Sequence, residues 1–289
     1  RAALIPAPPP TTNAAAAALL GVSEAEHTRR GLKSQEWRVV RDDGTPMPMA
    51  EFAGIRALNE QRRIENVEMG VIRPDDSTVW LSVTADLLPL EGYGVGVTYG
   101  DISARRAAEA QVRHLAYFDA MTGLPNRRLL LDRLEQTRIA STRSQLFGAL
   151  VMLDLDDLKG LNDCYGHDAG DQLLVEVAHR LSAHLRQQDT VARIGGDEFV
   201  LILADLGGDA PAAAIQAEHV VEKIRQALSQ PYLLASLDQP YQSSASFGIS
   251  LFLGQDGKVD DLLKQADIAM YQAKKSGRNR AVVFQPEAA

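Results

Sequence analysis

One thiol, Cys164, is the only cysteine in 289 residues. A single thiol closes no intramolecular disulfide, and its polar neighbours read as an incidental rather than a catalytic setting. Long apolar runs are missing as well. The longest candidate, Ala14 to Leu20, falls well short of the roughly 18–20 residues that span a bilayer. No basic segment leads into a long apolar core, so no signal peptide is read. An excess of positive charge is also absent. The net charge of -8 argues against general nucleic-acid binding, which needs a basic surface. Nucleotides stay open, because bound metal ions neutralise phosphates locally. These absences fit a reducing, cytoplasmic setting for a segment expected to carry no membrane span of its own. The chain opens at Arg1 rather than Met. It therefore reads as a piece of a longer protein, with room elsewhere for a membrane anchor, further sensors or a following domain.

What is present is an ordinary globular composition, 45% hydrophobic and 24% charged, in a length that suits two domains. Residues 1–12 carry four prolines and read as irregular. From Trp37 the texture is strand, turn, strand: WRVVRDDGTPMP, then ENVEMGVI, RPDDST, VWLSVTADLLPL and GYGVGVTYGDIS. The first third is thus expected to be a small, mostly antiparallel sheet with few helices. ARRAAEAQVRHLAYF, residues 104–118, has no Gly or Pro. It sets Ala108, Val112, Leu115 and Phe118 on one helical stripe. Such a stripe docks on its own domain or pairs with its copy in a dimer. Helices then alternate with strands: a helix from Asn126, strand FGALVMLDLD, helix LLVEVAHRLSAHL, strands TVARI and FVLIL, a helix from Ala212, strand SSASFGISLFL and helix Val259 to Lys275. This order predicts a mixed central sheet surrounded by helices.

Two of these strands present acids. Asp154 and Asp156 end FGALVMLDLD, and Asp197 and Glu198 lie in the turn of RIGGDEFVLIL. That turn is either a tight hairpin with solvated acids or a site where backbone approaches a ligand and a carboxylate holds a metal. If the two strands neighbour one another, Asp154 and Asp197 converge. With a backbone carbonyl such as that of Leu155, they suit a hard, oxygen-preferring ion such as Mg²⁺. Gly195 and Gly196 would then let a ligand reach the backbone. Lys159 is placed to meet phosphate, and Asn162 and Asp171 to bond a base edge. Lys274 and Arg278, four apart, are expected on one face of the last helix as a triphosphate clamp. Singly, each also reads as a cap or surface residue.

At these residues the chain resembles the GGDEF family of diguanylate cyclases. The carriers are DAMTGLPNRR (119–128), LDLDDLKGLNDCYGHDAGD (153–171), RIGGDEF (193–199), SFGIS (246–250) and ADIAMYQAKKSGRNR (266–280). The resemblance implies a fold like that of adenylyl cyclases and polymerase palms. It implies condensation of two GTP to cyclic di-GMP with release of two pyrophosphates, in a homodimer that apposes two sites. It makes Asp154, Asp197 and the Leu155 carbonyl ligands of Mg²⁺, with Mn²⁺ as the alternative. Glu198 takes the place of an acid that helps activate the 3′-hydroxyl or bind metal. Asn162 and Asp171 become guanine readers, Gly195 and Gly196 lie against the nucleotide, and Lys159, Lys274 and Arg278 meet phosphates. Arg186 and Asp189 match the family's RxxD site, where cyclic di-GMP acts as an inhibitor. Leu158 departs from the family's Phe before the lysine, and Asp157 is unusual beside it. A GGDEF domain that binds nucleotide without turnover is the alternative.

The first third resembles a PAS sensor domain, carried by WRVVRDDGTPMP (37–48), residues 65–89 and GVGVTYGDISARR (94–106). Its ligand is unknown. No cysteine lies there for a flavin adduct, and His27, the only histidine before residue 100, reads as structural. The expected organisation is a PAS-like sensor at 1–103, a signalling helix at 104–118 that shares the dimer interface with it, and a GGDEF domain at 119–289.

Overall fold

The computed structural model describes residues 12–31, 36–88 and 94–285. The expectation of an irregular start falls almost wholly outside them. The chain folds as two compact units, Arg1–Val112 and Arg113–Ala289. Among the described residues no helix is long and apolar enough to cross a membrane.

In the first unit, helix α1 (Ala14–Leu20) opens on the Asn13 side chain and closes on Gly21 at φ 70. Helix α2 (Glu24–Arg30) opens on the Ser23 hydroxyl. Strand β1 (Arg38–Val40), helix α3 (Ala53–Glu60) and strands β2 (Ile64–Ile72), β3 (Thr78–Leu87) and β4 (Val95–Asp101) follow. The sheet order is β1-β2-β3-β4, antiparallel throughout. Val79, Leu81, Val83 and Ala85 alternate into a core with Leu20, Ala53 and Ala57, the period of two expected of a sheet with one covered face. The antiparallel sheet is as expected, but α2 and α3 are additional. At seven and eight residues they are too short for helical periodicity to stand out. Helix α4 (Ser103–Tyr117) leaves β4 directly, and the Asp101 carboxylate accepts a 2.8 Å bond from the Ser103 N–H.

The second unit runs α5 (Arg127–Ser144), β5 (Phe147–Asp156), α6 (Leu158–Tyr165), α7 (His167–Ala183), β6 (Thr190–Gly195), β7 (Glu198–Leu206), α8 (Ala210–Leu228), β8 (Ser244–Phe252), α9 (Val259–Lys275) and β9 (Ala281–Val283). The Asn126 side chain caps α5 by accepting from the N–H groups of Arg128 and Leu129. Strand order is β6-β7-β5-β8-β9, antiparallel except for the β8–β9 pair. The sheet is therefore mixed and flanked by helices. Strand β5 lies at its centre and is buried on both faces, which explains a continuous apolar run. Ala149, Val151, Leu153 and Leu155 join a core with Leu173, Val177, Val221 and Ile224. Leu150 and Met152 join another with Leu130, Leu134, Ala266 and Met270. By alternation Asp154 and Asp156 continue the second set, toward α5 and α9.

Helix α9 presses closely on β8. A Cβ built on Gly248 would collide with the Ala266 carbonyl and the Met270 amide, so only glycine permits this approach. One expectation is corrected here. Lys274 and Arg278 do not share a helical face, because α9 ends at Lys275 and Gly277 and Arg278 take φ values of 115 and 56. Arg278 sits on the turn that leads into β9.

Candidate functional site

Strand β5 delivers Asp154 to the C-terminal end of the central strand. In register it faces Glu198 of β7 on one side and Ser246 of β8 on the other. Asp197 occupies the β6–β7 turn, and its carbonyl accepts a 3.2 Å bond from the Leu155 N–H. Three carboxylates therefore gather on two neighbouring strands and the turn that leads into one of them. Asp154 is only 7% exposed. Burial pushes its carboxyl up, and the charges of Asp197 and Glu198 add to this against a 2.7 Å ion pair from Lys274 Nζ. Like charges directly opposite in a sheet are unfavourable, so the local field calls for a cation. Among the described residues no group of three acidic, His or Cys side chains already stands at metal-ligating spacing. The donors that fit an ion are the Asp154 and Asp197 carboxylates and the Leu155 carbonyl, all hard oxygens. They would leave the remaining positions to water and substrate, the pattern preferred by Mg²⁺.

The turn is built for access. Gly196 has φ 48, a conformation that disfavours a side chain. A Cβ on Gly195 or Gly196 would meet nothing within 4 Å, so packing within the chain does not account for these two glycines. Arg193, 9% exposed, holds the turn from behind. Its Nε and Nη2 donate to the Gly196 carbonyl at 3.0 and 2.8 Å, and its Nη1 donates to Asp119 at 3.1 Å. Burial pushes the Asp119 carboxyl up, but hydrogen bonds from Thr122 and Arg193 outweigh it and leave the pKa lowered. The DAMTGLP segment is thus a clamp on the turn, since the Pro125 carbonyl also accepts the Arg193 N–H.

The other residues fall around this centre. Lys159 lies exposed in the first turn of α6. The corner between α6 and α7 sets Asn162 against Gly170, where any Cβ would strike its Oδ1. That oxygen is buried with no hydrogen-bond partner, a costly condition unless something bonds it. Asp171 follows Gly170 and is exposed. Lys274 rests on Asp154 itself rather than standing apart from the acids. Arg186 and Asp189 lie before β6, at the opposite end of that six-residue strand from Gly195. The Asp189 carboxylate accepts from the N–H groups of Arg186 and Ala204, while Arg186 is exposed. Leu158 is 8% exposed and belongs to the core shared with Leu161 and Leu173.

Sequence reasoning gave no role to four contributors. Asp156 accepts from Ser244 Oγ at 2.6 Å, Ser246 Oγ at 2.8 Å and the Asn279 N–H at 3.1 Å, so it braces structure rather than meeting a ligand. Arg193, Gly248 and Asn279 are the others. The alternation of serines in SASFGIS opposite LDLD was the available signal for the Asp156 contacts, because a period of two puts them on one face. Nothing in the local pattern marked Arg193.

The family model "Diguanylate cyclase, GGDEF domain" matches residues 116–280. The bifunctional diguanylate cyclase/cyclic di-GMP phosphodiesterase MucR of Pseudomonas aeruginosa is 38% identical over 218 residues, covering 71% of this chain and 31% of that protein. The response regulator PleD of Caulobacter vibrioides is 37% identical over 169 residues, covering 58% of this chain and 36% of that protein. The chain thus spans about a third of the length of each. Among solved structures, the GGDEF domain of YfiN (TpbB) from Pseudomonas aeruginosa aligns with a TM-score of 0.53 at 33% identity, over 57% of this chain and 99% of that one. The coiled coil and GGDEF domain of DgcB from Caulobacter crescentus, in complex with c-di-GMP, aligns with a TM-score of 0.55 at 28% identity, over 63% and 93%. By the match across its second unit, the chain belongs to the diguanylate cyclase GGDEF-domain family.

Proposed function

We propose that the chain is a diguanylate cyclase that condenses two GTP to cyclic di-GMP. The observation that carries this reading is the buried Asp154, set in register with Glu198 beside the Gly195–Gly196 turn. In this reading Asp154, Asp197 and the Leu155 carbonyl hold Mg²⁺ or Mn²⁺. When bound, the ion neutralises phosphate charge and lowers the pKa of the attacking hydroxyl. The orphaned Asn162 Oδ1 accepts from the guanine edge, with Asp171 beside it. The open backbone of Gly195 and Gly196 lies along the nucleotide. Lys159 and Arg278 bind phosphate oxygens. Lys274 exchanges Asp154 for the triphosphate when substrate arrives. Glu198 takes the proton of the 3′-hydroxyl or joins the metal ligands. That oxygen attacks the α-phosphate in line and pyrophosphate leaves. Each domain holds one GTP, so two copies must face one another with two-fold symmetry. Apposition supplies the effective molarity of the reaction.

Two regulatory assignments complete the reading. The antiparallel sheet that feeds α4 is a PAS-like sensor, with residues 1–103 sensing, 104–118 transmitting and 119–289 catalysing. Arg186, with its guanidinium in solvent, takes product at the RxxD site. The catalytic reading is tested by supplying GTP and Mg²⁺ and separating products by chromatography. Asp154→Ala and Asp197→Ala each lower turnover by about a thousandfold or more, because a lost metal ligand removes several kcal/mol of transition-state stabilisation. Wild-type rates in either variant would remove the metal assignment. Arg186→Ala should relieve inhibition by added product while leaving turnover in place. Unchanged inhibition would return Arg186 and Asp189 to a purely structural turn.

A further inference from the structure

The backbone beyond α9 is unusual. Gly277, Arg278 and Asn279 have φ values of 115, 56 and 47 in succession. Two residues with side chains in the left-handed region persist only where the surroundings hold them. Two anchors do so. The Asn279 N–H donates to Asp156 Oδ2 at 3.1 Å, and Asp156 is itself fixed by Ser244 and Ser246. The Asn279 Oδ1 accepts from Arg225 Nη1 at 2.8 Å and Ser229 Oγ at 3.2 Å, both near the end of α8. Arg225 is in turn oriented by Glu222 at 2.7 and 2.8 Å. The backbone of Arg278 is tied on each side, its N–H to the Ala273 carbonyl at 3.1 Å and its carbonyl to Arg280 Nε at 3.1 Å. Its side chain is exposed.

We propose that Asn279 is a positioning residue for the phosphate clamp, fastening the turn that carries Arg278 between the end of β5 and the last turn of α8. The proposal rests on the GTP-binding reading above. A mobile guanidinium on a fixed backbone gives a triphosphate a preformed partner. Without the side-chain anchor the turn samples other conformations, and part of the binding energy goes into reordering it. The chemical centre at Asp154 and Asp197 is untouched, so affinity suffers and the rate constant does not.

The test uses the 289-residue chain and two substitutions at one position. Asn279→Gly removes the oxygen while tolerating positive φ, so it reports the anchor and not backbone strain. Asn279→Asp keeps an acceptor for Arg225 and Ser229. Affinity for a non-hydrolysable GTP analogue with Mg²⁺ is measured beside KM and kcat. The Gly variant is expected to raise both Kd and KM by about five- to tenfold, the scale of one or two lost hydrogen bonds, with kcat within about twofold. The Asp variant is expected to return both to within about twofold of wild type. Arg225→Met should weaken binding similarly and add little to Asn279→Gly, since both break one contact. A lowered melting temperature with unchanged Kd and KM, or a fall in kcat at constant KM, would overturn the proposal. If wild-type protein binds the analogue but forms no cyclic di-GMP, the cyclase reading fails and the Kd series still decides the role of Asn279. If wild-type protein binds no analogue, the clamp itself is gone and the proposal with it.

Discussion

The two units of this chain treat charge differently. In the first, described ion pairs such as Arg29–Glu36, Arg41–Glu51 and Arg56–Glu60 lie at the surface, and its core of Leu20, Ala53, Val79 and Leu81 is apolar. In the second, Asp154, Asp156, Arg138 and Arg193 are all buried, and the buried polar side chains among the described residues all belong to this unit. Burying charge is expensive. Three of these four are compensated: Arg138 by the Gly254, Asp256 and Gly257 carbonyls, Asp156 by two serines and a backbone amide, and Arg193 by Asp119 and Gly196. Asp154 keeps a raised pKa despite its Lys274 partner. Burial and neighbouring acids that one ion pair does not fully offset thus mark the position where a cation and a triphosphate are proposed to bind.

Perturbing that contrast should produce effects of graded size. Gly248→Ala is expected to cost the most, more than about 3 kcal/mol, because the new methyl meets backbone that cannot move aside without lifting α9. Denaturant unfolding of the second unit reads it, and loss of GTP binding should accompany it as Lys274 moves with the helix. Arg193→Ala is expected to cost about 2–4 kcal/mol by leaving the Gly196 carbonyl and Asp119 without their donor. The Asp119 pKa is lowered in the fold. Its contribution is therefore present above the ordinary 3.8 and fades as pH falls through the folded value. The Arg193→Ala penalty should shrink in that acid range. If it did not, Asp119 would not be the partner that matters.

Asp154 runs the other way. Its folded pKa is raised, so the folded state favours the protonated form, and stability falls as pH rises from the ordinary 3.8 through the folded value. Without divalent ion, Asp154→Asn should melt above wild type at about pH 7, with the difference closing near about pH 3. Added Mg²⁺ and GTP analogue should raise the wild-type melting temperature and leave the variant's in place. Equal melting at both pH values would mean that Asp154 is not electrostatically frustrated. The smallest effect is expected at Arg29→Ala, whose guanidinium is exposed in its pair with Glu36. Its melting shift should fall within replicate scatter, as exposed pairs contribute little.

Legibility in the sequence followed the same division. Alternation and cap residues revealed the long elements, including Asn126 at the start of α5 and the acids ending β5. The short helices α2, α3 and α6 and the three-residue strand β9 escaped, because one or two turns, or three residues of strand, carry too little periodicity. The acids, glycines and lysines of the candidate site were visible as residue types. Their supports were not, because they depend on strand order and long-range register. Asp156 finds its serines 88 and 90 residues away, and Arg193 reaches Asp119 across 74. The placement of Arg278 was misjudged for a local reason. The last helix was read to end at Lys275, yet the four-residue helical spacing from Lys274 was carried across that end to Arg278, although SGRN carries the Gly and Asn typical of a chain leaving a helix.

The most direct test of the account is formation of cyclic di-GMP from GTP and Mg²⁺ across a range of protein concentrations. The account predicts product at a rate that rises more steeply than linearly with protein, as two apposed sites require, and none from Asp154→Ala. Absence of product at every concentration, from protein that is folded and binds GTP, would contradict it.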